Sequence, residues 1–139
     1  MSVYLDTSLL VAFFAADAHS NRAARLIGES DGLFLSDFAA AEFSSALAGL
    51  HRMGRLETAH AHSAFADFDA WTSRSCRRVE TTSQDMTFAE GAMRRLDLSL
   101  RTPDALHIAM AHRLGVPLAT FDLRMATDAR RLGVEIVGD

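Results

Sequence analysis

The chain has 139 residues, 49% of them apolar, which suffices to bury a core without disulfide or metal staples. Its single cysteine, Cys76, excludes an internal disulfide, and the apolar run Leu9–Ala16 falls short of the roughly 20 residues of a bilayer span and lacks the basic leader of a secretory signal. The net charge of −4 excludes the strongly basic balance of typical nucleic-acid-binding domains.

The expectation from these features is a soluble cytoplasmic protein with no membrane partner. All 14 basic residues are arginine. Arginine grips phosphates bidentately and stacks on bases, although a GC-rich genome explains the missing lysine more simply. Acids gathered around divalent cations would also leave the remaining surface less acidic than the total suggests.

In chain order, Ser2–Asp6 is an apolar run closed by an acid, which predicts a buried strand. Thr7 or Ser8 can cap a helix through Leu9, Leu10, Phe13 and Phe14. A second helix fits Ser20–Glu29, followed by a turn at Asp31-Gly32 and a strand at Leu33–Leu35. Ser36 or Asp37 caps a long helix to about Met53, broken at Gly54, and another helix fits Glu57–Trp71. Cys76–Glu80 reads as a third strand and Ser83–Leu96 as a helix. Thr102-Pro103 opens a helix in which the missing proline N–H does no harm, and it ends near Leu114-Gly115. Val116–Thr120 is a fourth strand, Leu123–Leu132 a short helix and Val134–Val137 a last strand.

Strands alternating with helices predict one α/β domain over residues 1–139, with a parallel sheet covered on both faces. Open parallel sheets bind ligands at the carboxyl ends of their strands, and that rule sorts the acids. Asp6 closes the first strand and Asp122 follows the fourth. Asp104 lies in the first turn of the helix opened by Pro103, where the helix dipole favours negative charge. Glu42 lies early in the helix after the second strand. Its face carries the small residues Ala39, Ser45, Ala46 and Gly49, although Phe38 precedes it. Each acid has an ordinary alternative: a helix cap for Asp6 and Asp122, a dipole-favoured surface position for Asp104, a tight helix contact for Glu42. Their joint placement at one sheet edge points instead to a hard divalent cation, because clustered carboxylates repel unless neutralised. Such a cation can activate water and stabilise displacement at phosphorus.

Neither His60/His62 nor His107/His112 has the i, i+4 spacing of paired helical metal ligands, and no Cys–His zinc pattern exists. His107, three residues after Asp104 and nearly on its face, is expected to pack between helices, with approach to the site as the alternative. Phe65, Phe68 and Trp71 are expected in the core, and Arg77-Arg78, Arg94-Arg95 and Arg130-Arg131 on solvated faces. An apolar stripe there or at Leu47 and Leu50 could meet a partner.

The segments Tyr4-Leu5-Asp6-Thr7-Ser8, Ala41-Glu42-Phe43, Arg101-Thr102-Pro103-Asp104-Ala105-Leu106-His107-Ile108-Ala109 and Thr120-Phe121-Asp122 together resemble the PIN-domain nucleases, and among them the VapC-type toxins of bacterial toxin–antitoxin pairs. The resemblance spans the chain in order and spacing. It implies a PIN-like three-layer α/β/α sandwich around a parallel sheet of four to five short strands. It further implies an endoribonuclease that hydrolyses RNA phosphodiester bonds with metal-activated water, leaving a 5′-phosphate and a 3′-hydroxyl. By the same resemblance, Asp6, Asp104, Glu42 and Asp122 would hold Mg²⁺, with Mn²⁺ as a substitute. Thr7 and Ser8 would hydrogen-bond Asp6, Thr120 would support Asp122, and Arg101 would contact RNA. A VapB-like antitoxin and a homodimer are the implied partners. Some PIN domains carry a further acid soon after the fourth; here Leu123-Arg124-Met125 follows, and Asp128 is left outside the site.

An aspartyl-nucleophile phosphatase would need an acid where Ser8 stands, and a phospho-receiver domain would need a lysine. An RNA-processing PIN nuclease without an antitoxin, or a catalytically silent PIN module, remain open from sequence.

Overall fold

Side-chain alternation in the first strand decides the layering. The computed structural model describes residues 1–15 and 17–138; the last residue of the apolar run, Ala16, and the terminal Asp139 lie outside them. In β1 (Ser2–Leu5) Val3 and Leu5 enter one core while Tyr4 enters the other, as a period of two requires. The same split recurs in β4 (Leu118–Ala119), where Leu118 faces the Tyr4 side and Ala119 the Val3 side. A sheet buried on both faces reads as a continuous apolar run, which is why these strands are short, apolar and closed by an acid or hydroxyl.

The remaining strands are β2 (Gly32–Ser36), β3 (Cys76–Val79) and β5 (Ile136–Val137). All pairs are parallel, in the order β3-β2-β1-β4-β5. On the Val3 side lie α1 (Thr7–Phe14), α2 (Ser20–Glu29), α3 (Asp37–Arg52) and α4 (Thr58–Ser75). Phe43 of α3 stacks on Phe68 of α4 with ring centroids 4.3 Å apart, and Phe14 meets Trp71 edge-on, so the Phe65–Trp71 stripe serves packing. On the Tyr4 side lie α5 (Ser83–Met93), α6 (Thr102–Leu114) and α7 (Leu123–Arg131). The three-layer expectation therefore holds.

Several boundaries differ from the sequence reading. α4 runs on to Ser75 and passes directly into β3. α5 stops at Met93, short of Leu96, whose side chain is 95% exposed and offers no apolar face to prolong the helix. β4 is confined to Leu118–Ala119; on its amino side Pro117 has no N–H to extend the ladder. Gly115 closes α6 at φ +67°, a left-handed conformation that suits glycine.

The order places β1 between β2 and β4, so the chain leaves the sheet centre in opposite directions. The carboxyl ends of β1 and β4 adjoin, with Leu5 paired to Ala119. Whatever follows these two strands meets at the crevice where ligands bind in open α/β sheets.

Candidate active site

Asp6 is the first residue beyond β1 and occupies the position that caps α1, yet its carboxylate makes no capping bond. Instead Oδ2 accepts from Ser8 Oγ at 2.8 Å and from Thr120 Oγ1 at 2.5 Å. Its backbone N–H donates to Ala119 O at 3.1 Å. The side chain is only 5% exposed. A cap would have spent this carboxylate on backbone; here two hydroxyls orient it.

Thr120 does a second job. Its Oγ1 accepts the backbone N–H of Asp122 at 3.0 Å, so one hydroxyl ties the acid after β1 to the loop after β4. Asp122 caps α7: Oδ1 accepts from the N–H groups of Arg124 and Met125 at 3.0 and 3.1 Å. Asp104 is the third residue of α6, and its Oδ2 accepts the Arg101 N–H at 3.2 Å. Arg101 Nε lies 3.8 Å from the same oxygen, and the arginine side chain is 74% exposed. Burial pushes the Asp104 carboxyl above its ordinary range. The Arg101 N–H opposes this, but the charges of Asp122 and Asp6 add to it. The three aspartates thus sense one another at the sheet edge.

Glu42 reaches the crevice from α3, whose start is fixed by Ser36 Oγ accepting the Ala39 N–H at 2.9 Å. The resemblance assigned Thr7 to Asp6, and this is corrected: the Thr7 hydroxyl donates to Glu42 Oε1 at 2.8 Å. The reason is geometric. Helix α1 begins at Thr7 immediately after the strand and packs on α3, so Thr7 faces Glu42 while Ser8 turns back to Asp6.

His107 fulfils both readings open from the sequence: it is 1% exposed, as a packing histidine is, and it also lines the site. Its Nε2 lies 2.5 Å from Glu42 Oε1 and 3.8 Å from Asp6 Oδ1, and its Nδ1 lies 2.8 Å from Tyr4 Oη. Its position one turn after Asp104 on α6 was the available signal. Burial by itself would raise the Glu42 carboxyl, but the His107 contact and the Thr7 hydroxyl more than offset it and hold Glu42 below the usual range. Asp128, left outside the site, is buried and accepts from Ser99 N and Oγ at 2.9 and 3.0 Å. The paired arginines elsewhere serve the surface: Arg95 and Arg131 both bond Asp97, and Arg94 bonds Glu90.

Among the described residues, no three His, Cys, Asp or Glu side chains already stand at the spacing of a closed metal shell. The donor set nonetheless suits a hard cation. It consists of oxygen ligands on separate elements, with Asp104 raised by burial and by its acidic neighbours; a divalent cation is the group that relieves this.

A PIN domain family model matches residues 3–130. The chain belongs to the PIN domain family. This PIN domain is similar to ribonuclease VapC46 of Mycobacterium tuberculosis, at 29% identity over 98% of the chain and 96% of that protein. Its fold matches the crystal structure of the M. tuberculosis toxin VapC20, described as cleaving the sarcin–ricin loop, with a TM-score of 0.71 and 22% identity over 90% of this chain and 93% of that one. It also matches a DNA-bound VapBC structure from Salmonella typhimurium, with a TM-score of 0.71 and 15% identity over 99% of this chain and 97% of that one.

Proposed function

We propose that the protein is a Mg²⁺-dependent endoribonuclease, the toxin of a VapBC-type toxin–antitoxin pair, with Mn²⁺ able to replace Mg²⁺. The observation that carries the reading is that Asp6 and Asp122, tied by Thr120 beyond the adjoining strands β1 and β4, share one sheet edge with Asp104 of α6, whose carboxyl their charges help to raise. Similarity to a named ribonuclease along the whole chain supports the substrate class. The likeness to VapBC assemblies supports a VapB-like antitoxin as partner; a homodimer is proposed from the family resemblance alone.

Asp6 and Asp104 would hold the principal cation, and Glu42 and Asp122 would complete the site directly or through water. A bound divalent cation supplies Lewis-acid activation of water and charge neutralisation at the scissile phosphate. The protein's own contribution is positional. Ser8 and Thr120 fix the Asp6 carboxylate, Thr7 fixes Glu42, and the N–H of Arg101 fixes Asp104. The exposed Arg101 guanidinium stands beside Asp104, where it would be placed to grip a phosphate of the RNA strand. Among the described residues no helix is long and apolar enough to cross a membrane, and a cytoplasmic location suits an RNA target.

The test is expression of wild type and Asp6→Asn, with growth recorded and RNA ends sequenced. Wild type arrests growth and yields new 5′-phosphate ends that EDTA suppresses in the purified reaction. Asp6→Asn folds, permits growth and yields none. Equal cleavage by the two proteins would overturn the assignment, and cleavage without growth arrest would favour an RNA-processing role instead.

A further inference from the structure

We propose that His107 is a positioning residue for Glu42: it clamps one carboxylate oxygen through an Nε2–H donor whose tautomer is set by Tyr4. The inference rests on the nuclease reading above.

His107 Nε2 lies 2.5 Å from Glu42 Oε1, and a carboxylate oxygen only accepts, so Nε2 carries a proton. A neutral ring then presents a bare Nδ1, and Tyr4 Oη, 2.8 Å away, donates to it. Ser36 Oγ, which accepts the Ala39 N–H at 2.9 Å, lies 2.7 Å from Tyr4 Oη and completes the buried chain. The opposite polarity puts a bare Nε2 lone pair against a carboxylate oxygen at that distance, which is repulsive. Ser36 and Tyr4 are fully buried, and His107 is 1% exposed, so water does not substitute for any of these partners.

Two consequences follow. Both ring nitrogens are spent within the protein, so His107 is not itself a metal ligand, although it stands between Glu42 and Asp6. Glu42, on a long flexible side chain, has Oε1 gripped by two donors, Thr7 and His107, which leaves Oε2 for the cation. Ser36, which caps the helix that carries Glu42, stands at the far end of this chain of contacts.

The experiment has two arms on the full chain. In the first, nitrogen NMR of ¹⁵N-histidine-labelled wild type reads the tautomer directly. The expected pattern, read where the ring is neutral, is a pyridine-like Nδ1 and a pyrrole-like Nε2 for His107; the reverse pattern overturns the proposal without any variant. In the second, Mn²⁺ binding is measured calorimetrically for wild type, His107→Leu, His107→Gln and Asp6→Asn. Glutamine keeps an N–H near the Nε2 position but offers no ring nitrogen. His107→Leu is expected to bind about 10- to 100-fold more weakly, with His107→Gln close to wild type. Glutamine binding as poorly as leucine, or leucine binding as well as wild type, overturns the clamp. Asp6→Asn separates the two readings: if it binds Mn²⁺ as wild type does, the metal-site reading itself fails, while the NMR pattern still judges the tautomer on its own.

Discussion

Thr120 and Asp6, 114 residues apart in the chain, share a hydrogen bond of 2.5 Å at the crevice between β4 and β1. The bond is buried and charge-assisted, the stronger class of hydrogen bond. The same Oγ1 accepts the Asp122 N–H, so the hydroxyl is both the orienter of one acid and the anchor of the loop bearing another.

Thr120→Val keeps the shape and removes both bonds. Leaving Asp6 and the Asp122 N–H short of a partner is expected to lower stability by about 1–3 kcal/mol and to cut RNA cleavage at least tenfold. Thr120→Ser retains the hydroxyl and should preserve most of both. Urea unfolding and a cleavage assay on the three proteins check this; a valine variant as active as wild type would show that Asp6 needs no such orienter.

Asp104 tests the charge cluster without metal. Its carboxyl is held above the ordinary range by burial and by Asp122 and Asp6. For an acid raised in the folded state, stability is full below the unfolded value near about 4 and declines as pH rises through the folded value. The metal-free protein at neutral pH therefore carries this cost, and Asp104→Asn removes it while an amide oxygen still accepts the Arg101 N–H. The variant is expected to melt a few degrees higher than wild type in EDTA, a gain on the order of 1 kcal/mol. Divalent cation should raise the wild-type Tm and leave the variant unmoved. Thermal unfolding with and without Mg²⁺ reads both effects.

Much of this site was legible before the fold was known, and the reason is chemical. Acids that close apolar strands or open helices have few places to go in a parallel sheet, so Asp6, Asp104 and Asp122 could be put at one edge from spacing alone. Glu42 was legible through the small residues on its face. The hydroxyl partners were less so: Thr7 and Ser8 are adjacent, and only the turn from strand to helix decides that Ser8 returns to Asp6 while Thr7 meets Glu42. The two readings of His107 could not be separated because burial and placement at a site leave the same mark on a sequence. An apolar helix face contains it, and only the 103-residue separation from Tyr4, closed by the fold, shows what its ring nitrogens touch.

Asp85 bears on how α6 is held, and hence on Asp104 and His107. Its carboxylate is 1% exposed, accepts two bonds from Arg113 at 2.8 and 3.0 Å, and completes a reciprocal cap with Thr82 at the start of α5. Burial raises its carboxyl, but Arg113 and the Thr82 bonds outweigh this and hold it below the usual range. A depressed acid stabilises the fold above its unfolded value and loses that contribution as pH falls through the folded value. The protein should therefore lose stability as pH drops below about 4. Asp85→Asn sets amide hydrogens against the guanidinium and is expected to cost about 2 kcal/mol at pH 7. The gap to wild type should narrow in acid, which denaturant melts across pH would show; a constant gap would assign the effect to the cap alone.

Asp122 has two roles that one pair of substitutions separates. It caps α7 through Oδ1, and its charge reaches Asp104. Asparagine caps about as well as aspartate, whereas alanine does not. Asp122→Asn is therefore expected to keep wild-type stability while lowering cleavage, and Asp122→Ala to lose a further ~1 kcal/mol with a similar activity. Both variants should also bring the Asp104 carboxyl down toward its ordinary value, since one of the charges that raises it has gone; a carbon-detected NMR titration of the carboxyl groups reads that shift. If asparagine cleaves RNA as well as wild type, Asp122 is a helix cap that happens to adjoin the site, and the cation is held by Asp6, Asp104 and Glu42 alone.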